Sequence, residues 1–359
     1  MIRILGIESS CDETAAAVVE QTDDGRLRIL SGKVASQIET HRLYGGVVPE
    51  IAGRAHIEAI SDVVREALTE AAVSPADLTA VAVTTHPGLI GALLVGVSFA
   101  KSFALKNHLP LVAVDHIDGH IAASYLTATP PRPPYLALVV SGGHTSLYKV
   151  EDYTKRSRIG ESRDDAIGES FDKIGRLIGI PYPAGAGFDA LAAEGFAQVA
   201  EGAEDVYAAF RKSAVYKDPE NYLPSPALND GSLDFSFSGL KTAAINLLHR
   251  KEQRGETLDR PLFAARYTFE AVEAVVKKTG AALKANPGIP LVVAGGVAAN
   301  SHLRARLAAL CQKAGCPLIL PPLSLCGDNG AMIAAQGIYE YLAGRFADTR
   351  LNASAADDI

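Results

Sequence analysis

Two histidines four residues apart, His116 and His120, stand in the run Asp115-His116-Ile117-Asp118-Gly119-His120. An apolar stretch (Leu111-Val112-Ala113-Val114) precedes the run, and Ile121 to Leu126 reads as helix after it. On a helix, positions i and i+4 lie one turn apart on the same face. Two neutral imidazoles so placed reach one metal ion. Two ligands do not close a site, however, and a surface helix carrying two histidines fits the pair equally well. The third ligand the sequence offers is Asp328, in Gly327-Asp328-Asn329-Gly330, just before the helix-forming Ala331-Met332-Ile333-Ala334-Ala335. Taken alone, Asp328 reads first as a helix N-cap. Two histidines and one carboxylate with open positions match catalytic zinc and non-haem iron sites. Asp115 is expected to cap the histidine helix, whose positive end would keep His116 neutral and free to ligate.

Other residues surround this nucleus with chemistry suited to an anionic ligand. Ser141-Gly142-Gly143-His144-Thr145 falls between two strand-like runs, where glycine lets backbone N–H groups approach a ligand. Ala294-Gly295-Gly296-Val297-Ala298-Ala299-Asn300 lies between a strand and a helix, without the spacing of a dinucleotide fingerprint. Tyr182-Pro183-Ala184-Gly185-Ala186-Gly187-Phe188-Asp189 precedes a helix and offers Asp189 to a polar group. Together these turns point to a nucleotide-containing ligand. Asp12, Glu13, Glu169 and Asp172 are the acidic candidates, Asp172 and Lys173 fitting a solvated pair equally well. Phosphate contacts, if the substrate is RNA, are expected from Lys149, Lys155, Arg156, Arg158 and Arg163, from Arg211, Lys212 and Lys217, and from Arg250, Lys251 and Arg254. No P-loop and no Gly-x-Ser-x-Gly elbow occurs.

The elements that must position these groups alternate between strand and helix over 359 residues, which predicts an α/β protein of two domains. Strands are expected at 2–8, 14–20, 27–37, 80–84, 111–114, 135–140, 145–150, 290–294 and 317–320. Helices are expected at 49–72, 89–106, 165–178, 186–200, 239–250, 259–285, 300–314 and 329–344, with 201–236 irregular. Pro130-Pro131-Arg132-Pro133-Pro134 is the best boundary. Both halves open with strand, polar turn, strand, a hint that they are related. The net charge of −7 argues against a chain that coats nucleic acid alone. Four cysteines without a Cys-x-x-Cys pair read as idle thiols. No signal peptide and no apolar run long enough to cross a bilayer is expected, so the chain reads as soluble and cytoplasmic. Residues 348–359 read as a frayed polar end.

Seven motifs, in order, resemble the bacterial TsaD family, also called YgjD or Gcp. They are Gly6-Ile7-Glu8-Ser9-Ser10-Cys11-Asp12-Glu13-Thr14, Tyr44-Gly45-Gly46-Val47-Val48-Pro49-Glu50, His116-x-x-x-His120, Val140-Ser141-Gly142-Gly143-His144-Thr145, Asp234-Phe235-Ser236-Phe237-Ser238-Gly239-Leu240-Lys241-Thr242, Gly295-Gly296-Val297-x-Ala299-Asn300 and Asp328-Asn329-Gly330-Ala331-Met332-Ile333. The resemblance implies two actin-like (ribonuclease H-like) domains of the actin, sugar-kinase and chaperone-ATPase superfold, with a cleft between them. The expected division is 1–130, completed by a helix at 329–345, then 131–328 and a tail at 346–359. It implies transfer of a threonylcarbamoyl group from threonylcarbamoyl-AMP to an adenosine amine of tRNA. His116, His120 and Asp328 would hold one divalent metal, Fe2+ first and Zn2+ second. Val139, Val140, Ser141, Gly142, Gly143, Asp172, Gly185, Asp189 and Asn300 would bind the adenylate, with Asp12 or Glu13 orienting or deprotonating the amine. Implied partners are a shorter TsaB-type paralogue and a TsaE-type P-loop ATPase, and no membrane.

The sequence departs from the family pattern at His86-Pro87-Gly88 in place of Gly-Pro-Gly, at Asp115 where many members carry another histidine, and at 182–186 in place of a Pro-Gly-Gly-Pro run. A metal-dependent glycoprotease is the chief rival. It lacks the base of a His-Glu-x-x-His motif, because Ile117 follows His116. A kinase or ATPase of the same superfold is the second rival, since fold does not fix function.

Overall fold

Two five-stranded sheets carry the chain, and both have the same topology. The structure is a computed structural model that describes residues 1–226, 228 and 230–356. Positions 227 and 229 of the stretch expected to be irregular, and 357–359 of the expected tail, lie outside these residues. The first half runs β1 (Ile2–Glu8), β2 (Glu13–Gln21), β3 (Leu27–Ser36), α1 (Ile38–Arg42), α2 (Pro49–Glu70), β4 (Ala80–His86), α3 (Ile90–Asn107), β5 (Leu111–Asp115) and α4 (His116–Ala122). The second runs β6 (Tyr135–Val140), β7 (Thr145–Asp152), β8 (Lys155–Glu161), α5 (Ile167–Leu177), α6 (Gly185–Ala200), α7 (Val206–Lys212), α8 (Ala214–Lys217), α9 (Ser238–Gln253), α10 (Arg260–Ala285), β9 (Leu291–Ala294), α11 (Ser301–Ala314), β10 (Leu318–Ile319) and α12 (Gly330–Leu342).

In each half the first three strands form an antiparallel meander, and two parallel strands add to the other side of the first. The order is β3-β2-β1-β4-β5 in one and β8-β7-β6-β9-β10 in the other. The innermost strands β1 and β6 are covered on both faces, which is why residues 4–7 of β1 and all of β6 read as apolar runs. The hint of related halves is thus met in the strand order.

The last helix of each half crosses to the other. Ile117, Ile121 and Ala122 of α4 lie in one apolar cluster with Tyr135, Ala137, Val139, Val292 and Ala294 of the second sheet. Ala331, Met332, Ile333, Ala334 and Ile338 of α12 cluster with Ile4, Ala17, Ala82, Val112 and Val114 of the first. Glycine permits the closest approach: a Cβ on Gly330 would stand 2.5 Å from the Ala16 carbonyl carbon.

Four expectations need correction. The region 201–236 holds two helices, α7 and α8, each capped by a side chain, Asp205 on Ala208 N and Ser213 on Tyr216 N. Residues 155–161, for which no strand was expected, form an edge strand, β8. The tail does not fray before 354: Leu351 and Ala353 pack on the first core, and Ser354 N donates to Thr85 O. Finally, α3 is long and apolar enough, by length and composition, to cross a membrane. Its Val97, Ala100 and Ala104 face are built into the first core.

Candidate functional site

Helix exchange brings the predicted metal ligands together. Asp115 caps α4, one carboxylate oxygen accepting from Ile117 N at 2.6 Å, and this sets His116 and His120 on one face. Asp328 is not the cap of α12, as the sequence suggested. Asn329 takes that role by accepting from Met332 N, which leaves the Asp328 carboxylate to face the histidines. Asp328 Oδ1 lies 3.6 Å from His116 Nε2 and 3.4 Å from His120 Nε2. Ligands held about 2.1 Å from a tetrahedral ion stand about 3.4 Å apart, so the spacing fits one metal. His120 is fully buried, and among the described residues neither of its ring nitrogens has a hydrogen-bond partner. Burial, followed by the His116 charge, drives its pKa well down and keeps it a neutral ligand.

The sequence did not reveal the residue behind His116. Glu8, fully buried at the end of β1, places Oε2 3.1 Å from His116 Nδ1 and accepts from Thr84 Oγ1 and Ser10 N. Burial alone would raise the Glu8 carboxyl, but His116, Thr84 and Ser10 outweigh it and pull it to about 2. Burial alone would lower His116, yet Glu8 and Asp328 raise it to about 9. The metal-free chain therefore carries a charged His116, contrary to the expectation from the helix end, because a contacting carboxylate outweighs a dipole. A metal would take the place of the Nε2 proton and leave Nδ1–H on Glu8, the usual second partner of a ligating histidine. The signal that could have exposed Glu8 is a carboxylate closing the apolar run 4–7 of β1.

Asp12 and Glu13 stand beside this centre. Burial, then the charges of Asp328 and Asp12, push Glu13 up to about 9. Tyr182 of the second half donates its hydroxyl to Asp12 Oδ2 at 3.3 Å, so the first turn of the chain faces the second half directly.

The expected adenylate residues form one wall of the second half. The Ser141–His144 turn closes with His144 N donating to Ser141 Oγ, leaving Gly142 and Gly143 exposed with open space around them. Val139 and Val140 are wholly buried in β6, so only their backbone is available to a ligand. Gly295, at φ +92°, passes so close to Val140 O that a Cβ would meet it at 2.4 Å. Asp172 accepts from Ala184 N at 2.7 Å, next to Gly185 at the start of α6. Burial raises its carboxyl, and Asp12 adds to the effect. Lys173 pairs with Asp165 and Glu169 rather than with Asp172. Asp189 accepts from Ser301 N at 3.1 Å, while Asn300 caps α11 through Leu303 N.

The expected phosphate clamps fare differently. Arg156 is buried and forked between Asp115 and Asp118, Arg158 pairs with Glu161, and Arg163 with Asp230 and Asp234. Arg254 pairs with Glu220 and Lys251 with Glu256. Arg156, Arg163 and Arg254 thus tie distant parts of the chain together, while Arg158 and Lys251 meet acids three and five residues away.

A family profile described as TsaD, tRNA N6-adenosine threonylcarbamoyltransferase, matches residues 28–335. The chain belongs to the TsaD family. It is 49% identical over 354 residues to the tRNA N6-adenosine threonylcarbamoyltransferase of Geobacillus thermodenitrificans, covering 98% of this chain and 96% of that one. The relative of that name from Enterococcus faecalis is 47% identical, covering 98% and 93%. Among solved structures, HypF of T. kodakarensis matches 97% of this chain with a TM-score of 0.59 at 12% identity. Full-length HypF in a phosphate- and nucleotide-bound form matches 99% at a TM-score of 0.57 and 14% identity. The chain spans about half of either HypF, 49% and 47%, and the likeness shows the fold alone. That fold is the two-domain, actin-like one that the TsaD resemblance implies.

Proposed function

We propose that this chain transfers a threonylcarbamoyl group from threonylcarbamoyl-AMP to the exocyclic amine of the adenosine 3′ to the anticodon, in tRNAs that read codons beginning with A. AMP leaves. The meeting of His116, His120 and Asp328 beside Asp12 and Glu13, in a chain of the TsaD family, carries the reading. The two imidazoles and one carboxylate would hold a divalent metal, Fe2+ first and Zn2+ second. When bound, the metal supplies Lewis acidity toward a carbonyl or phosphate oxygen.

The chain's own groups do the rest. At the end of the Val139 to Gly143 segment, the backbone N–H groups of Gly142 and Gly143 cradle the phosphate and stabilise oxyanion charge as it develops. Asp172, Gly185, Asp189 and Asn300 hold the nucleoside. The adenosine amine attacks the carbamoyl carbon, the new C–N bond forms, and the bond from carbon to the phosphate oxygen breaks. Asp12, to which the Tyr182 hydroxyl donates, is placed to accept the amine proton, with Glu13 beside it. Each half is one actin-like domain, 1–130 with 329–345 and 131–328. A net charge of −7 calls for added cationic surface around tRNA, which a TsaB-type paralogue and a TsaE-type ATPase would supply in the cytoplasm.

The test is incubation with tRNA, threonine, bicarbonate, ATP and the partner enzymes, with modified adenosine scored by mass spectrometry. Product that disappears in His120→Ala is expected. No product alongside partners shown to be active overturns the reading.

A further inference from the structure

The metal helix is gripped from behind by a residue of the other half. Arg156, on β8, is 4% exposed at its side chain. Its Nη2 donates to Asp115 Oδ2 at 2.7 Å, and its Nη1 pairs with Asp118 Oδ1. Its guanidinium also lies over the Tyr148 ring, 4.9 Å from the centroid, which fixes the plane of the fork. Asp115 passes the grip on, because its other oxygen holds Ile117 N and Asp118 N in the first turn of α4. On the far side, His86 Nε2 stands 3.5 Å from Asp115 Oδ2, and Thr85 Oγ1 holds His86 Nδ1 at 2.8 Å. His86 and Asp115 are two of the positions at which this sequence departs from the family pattern, and here they face each other. Asp115 and Asp118 lie three residues apart on one side of α4, so both can meet one planar guanidinium while His116 and His120 meet Asp328 on the other.

We propose that Arg156 is a positioning residue for the metal centre: its fork across Asp115 and Asp118 sets the rotation of α4 and so aims His116 and His120. The proposal rests on His116, His120 and Asp328 holding a metal. A guanidinium can span both carboxylates in one plane, whereas the ammonium of lysine is a point charge that cannot. Without the fork, two carboxylates one turn apart repel each other at the start of a seven-residue helix.

The experiment titrates the metal-free full chain with Co2+, follows the visible absorption bands, and checks folding by circular dichroism. Arg156→Met is expected to raise the cobalt dissociation constant by about tenfold or more and to shift the bands, as loss of a metal site's outer partners does. Arg156→Lys should be intermediate, and adding Asp118→Asn to Arg156→Met should recover part of the affinity. A folded Arg156→Met protein with the affinity and bands of the unaltered chain overturns the proposal. If Arg156→Met does not fold, Arg156→Lys carries the test, and unchanged bands and affinity there overturn it equally. His120→Ala separates the two readings. Cobalt binding that survives His120→Ala, or that the unaltered chain lacks, overturns the metal centre itself and the Arg156 role with it.

Discussion

Replacing Gly330 by alanine should disarm the metal centre from inside the fold. Gly330 opens α12, two residues after Asp328. A Cβ there would lie 2.5 Å from both the Ala16 carbonyl carbon and Ala17 N, and 2.7 Å from Ala16 Cα. Carbon atoms rest at about 3.5–4.0 Å, so something must retreat by about 1 Å. Strand β2 is hydrogen-bonded on both sides within its sheet, and its centre is wholly buried, so the start of α12 moves instead. Ligand distances tolerate only about 0.2 Å, so a shift of about 1 Å takes Asp328 out of reach of an ion held by the histidines. Gly330→Ala is expected to cost about 1–3 kcal/mol of stability through overpacking. Metal affinity should fall at least about tenfold, equivalent to about 1.4 kcal/mol. Calorimetric titration with Zn2+, beside urea unfolding, measures both. Gly327→Ala is the control, since a Cβ there meets nothing within 4 Å although it is nearer to Asp328 in sequence. Unchanged affinity in Gly330→Ala, or an equal loss in Gly327→Ala, would refute the steric argument.

Glu8→Gln keeps the size of the side chain but removes the charge behind His116. Metal affinity is expected to drop about 10- to 100-fold with little change in fold, and a chelator-competition titration reads it. An unchanged constant would mean that Glu8 does not orient the ligand. His144→Gln addresses pH. Burial, then the His116 charge, lowers His144 to about 4, below its ordinary value of 6.5. As pH falls below about 6.5 the unfolded chain takes up this proton first, so stability drops until about pH 4, where the folded chain binds it too. His144→Gln should therefore lose less stability than the unaltered chain between pH 7 and 5, compared by urea unfolding at each pH. Equal losses would show that this imidazole does not feel its burial.

The parts of the site legible in the sequence were those with a spacing or a turn to mark them. The four-residue interval of His116 and His120, and the glycines of 141–145 and 294–300, reflect geometry that only certain residues allow. Asp328 is legible as a third ligand, and only its reading in isolation as a cap fails, because the actual cap, Asn329, is its neighbour and only the helix start decides between them. Glu8 stayed hidden because its partners Thr84 and His116 come from remote strands and helices. Strand β8 was missed because an edge strand has one exposed face, and Lys155, Arg156 and Arg158 read as a basic cluster. Arg156 then turned out to be buried against acids from the other half. The helices of 206–217 are short and are followed by Pro219, Pro224 and Pro226, which hide them in the sequence although Asp205 and Ser213 mark their starts. The expectation of a frayed end failed because Leu351 and Ala353, apolar residues in a polar run, find the first core.

The exchange of α4 and α12 has a consequence for synthesis. The strands of the first sheet are made well before α12, the helix that covers one of their faces, and before Asp328 of the candidate ligand set. Until then the nascent first half exposes Ile4, Ala82, Val112 and Val114, an apolar face with no cover of its own. A ribosome that stalls or stops before Asp328 releases a chain with two imidazoles, no third ligand and a bare sheet. The stretch that carries Asp328 to the histidines thus also closes the first core, so the candidate site and the first sheet are completed by the same segment.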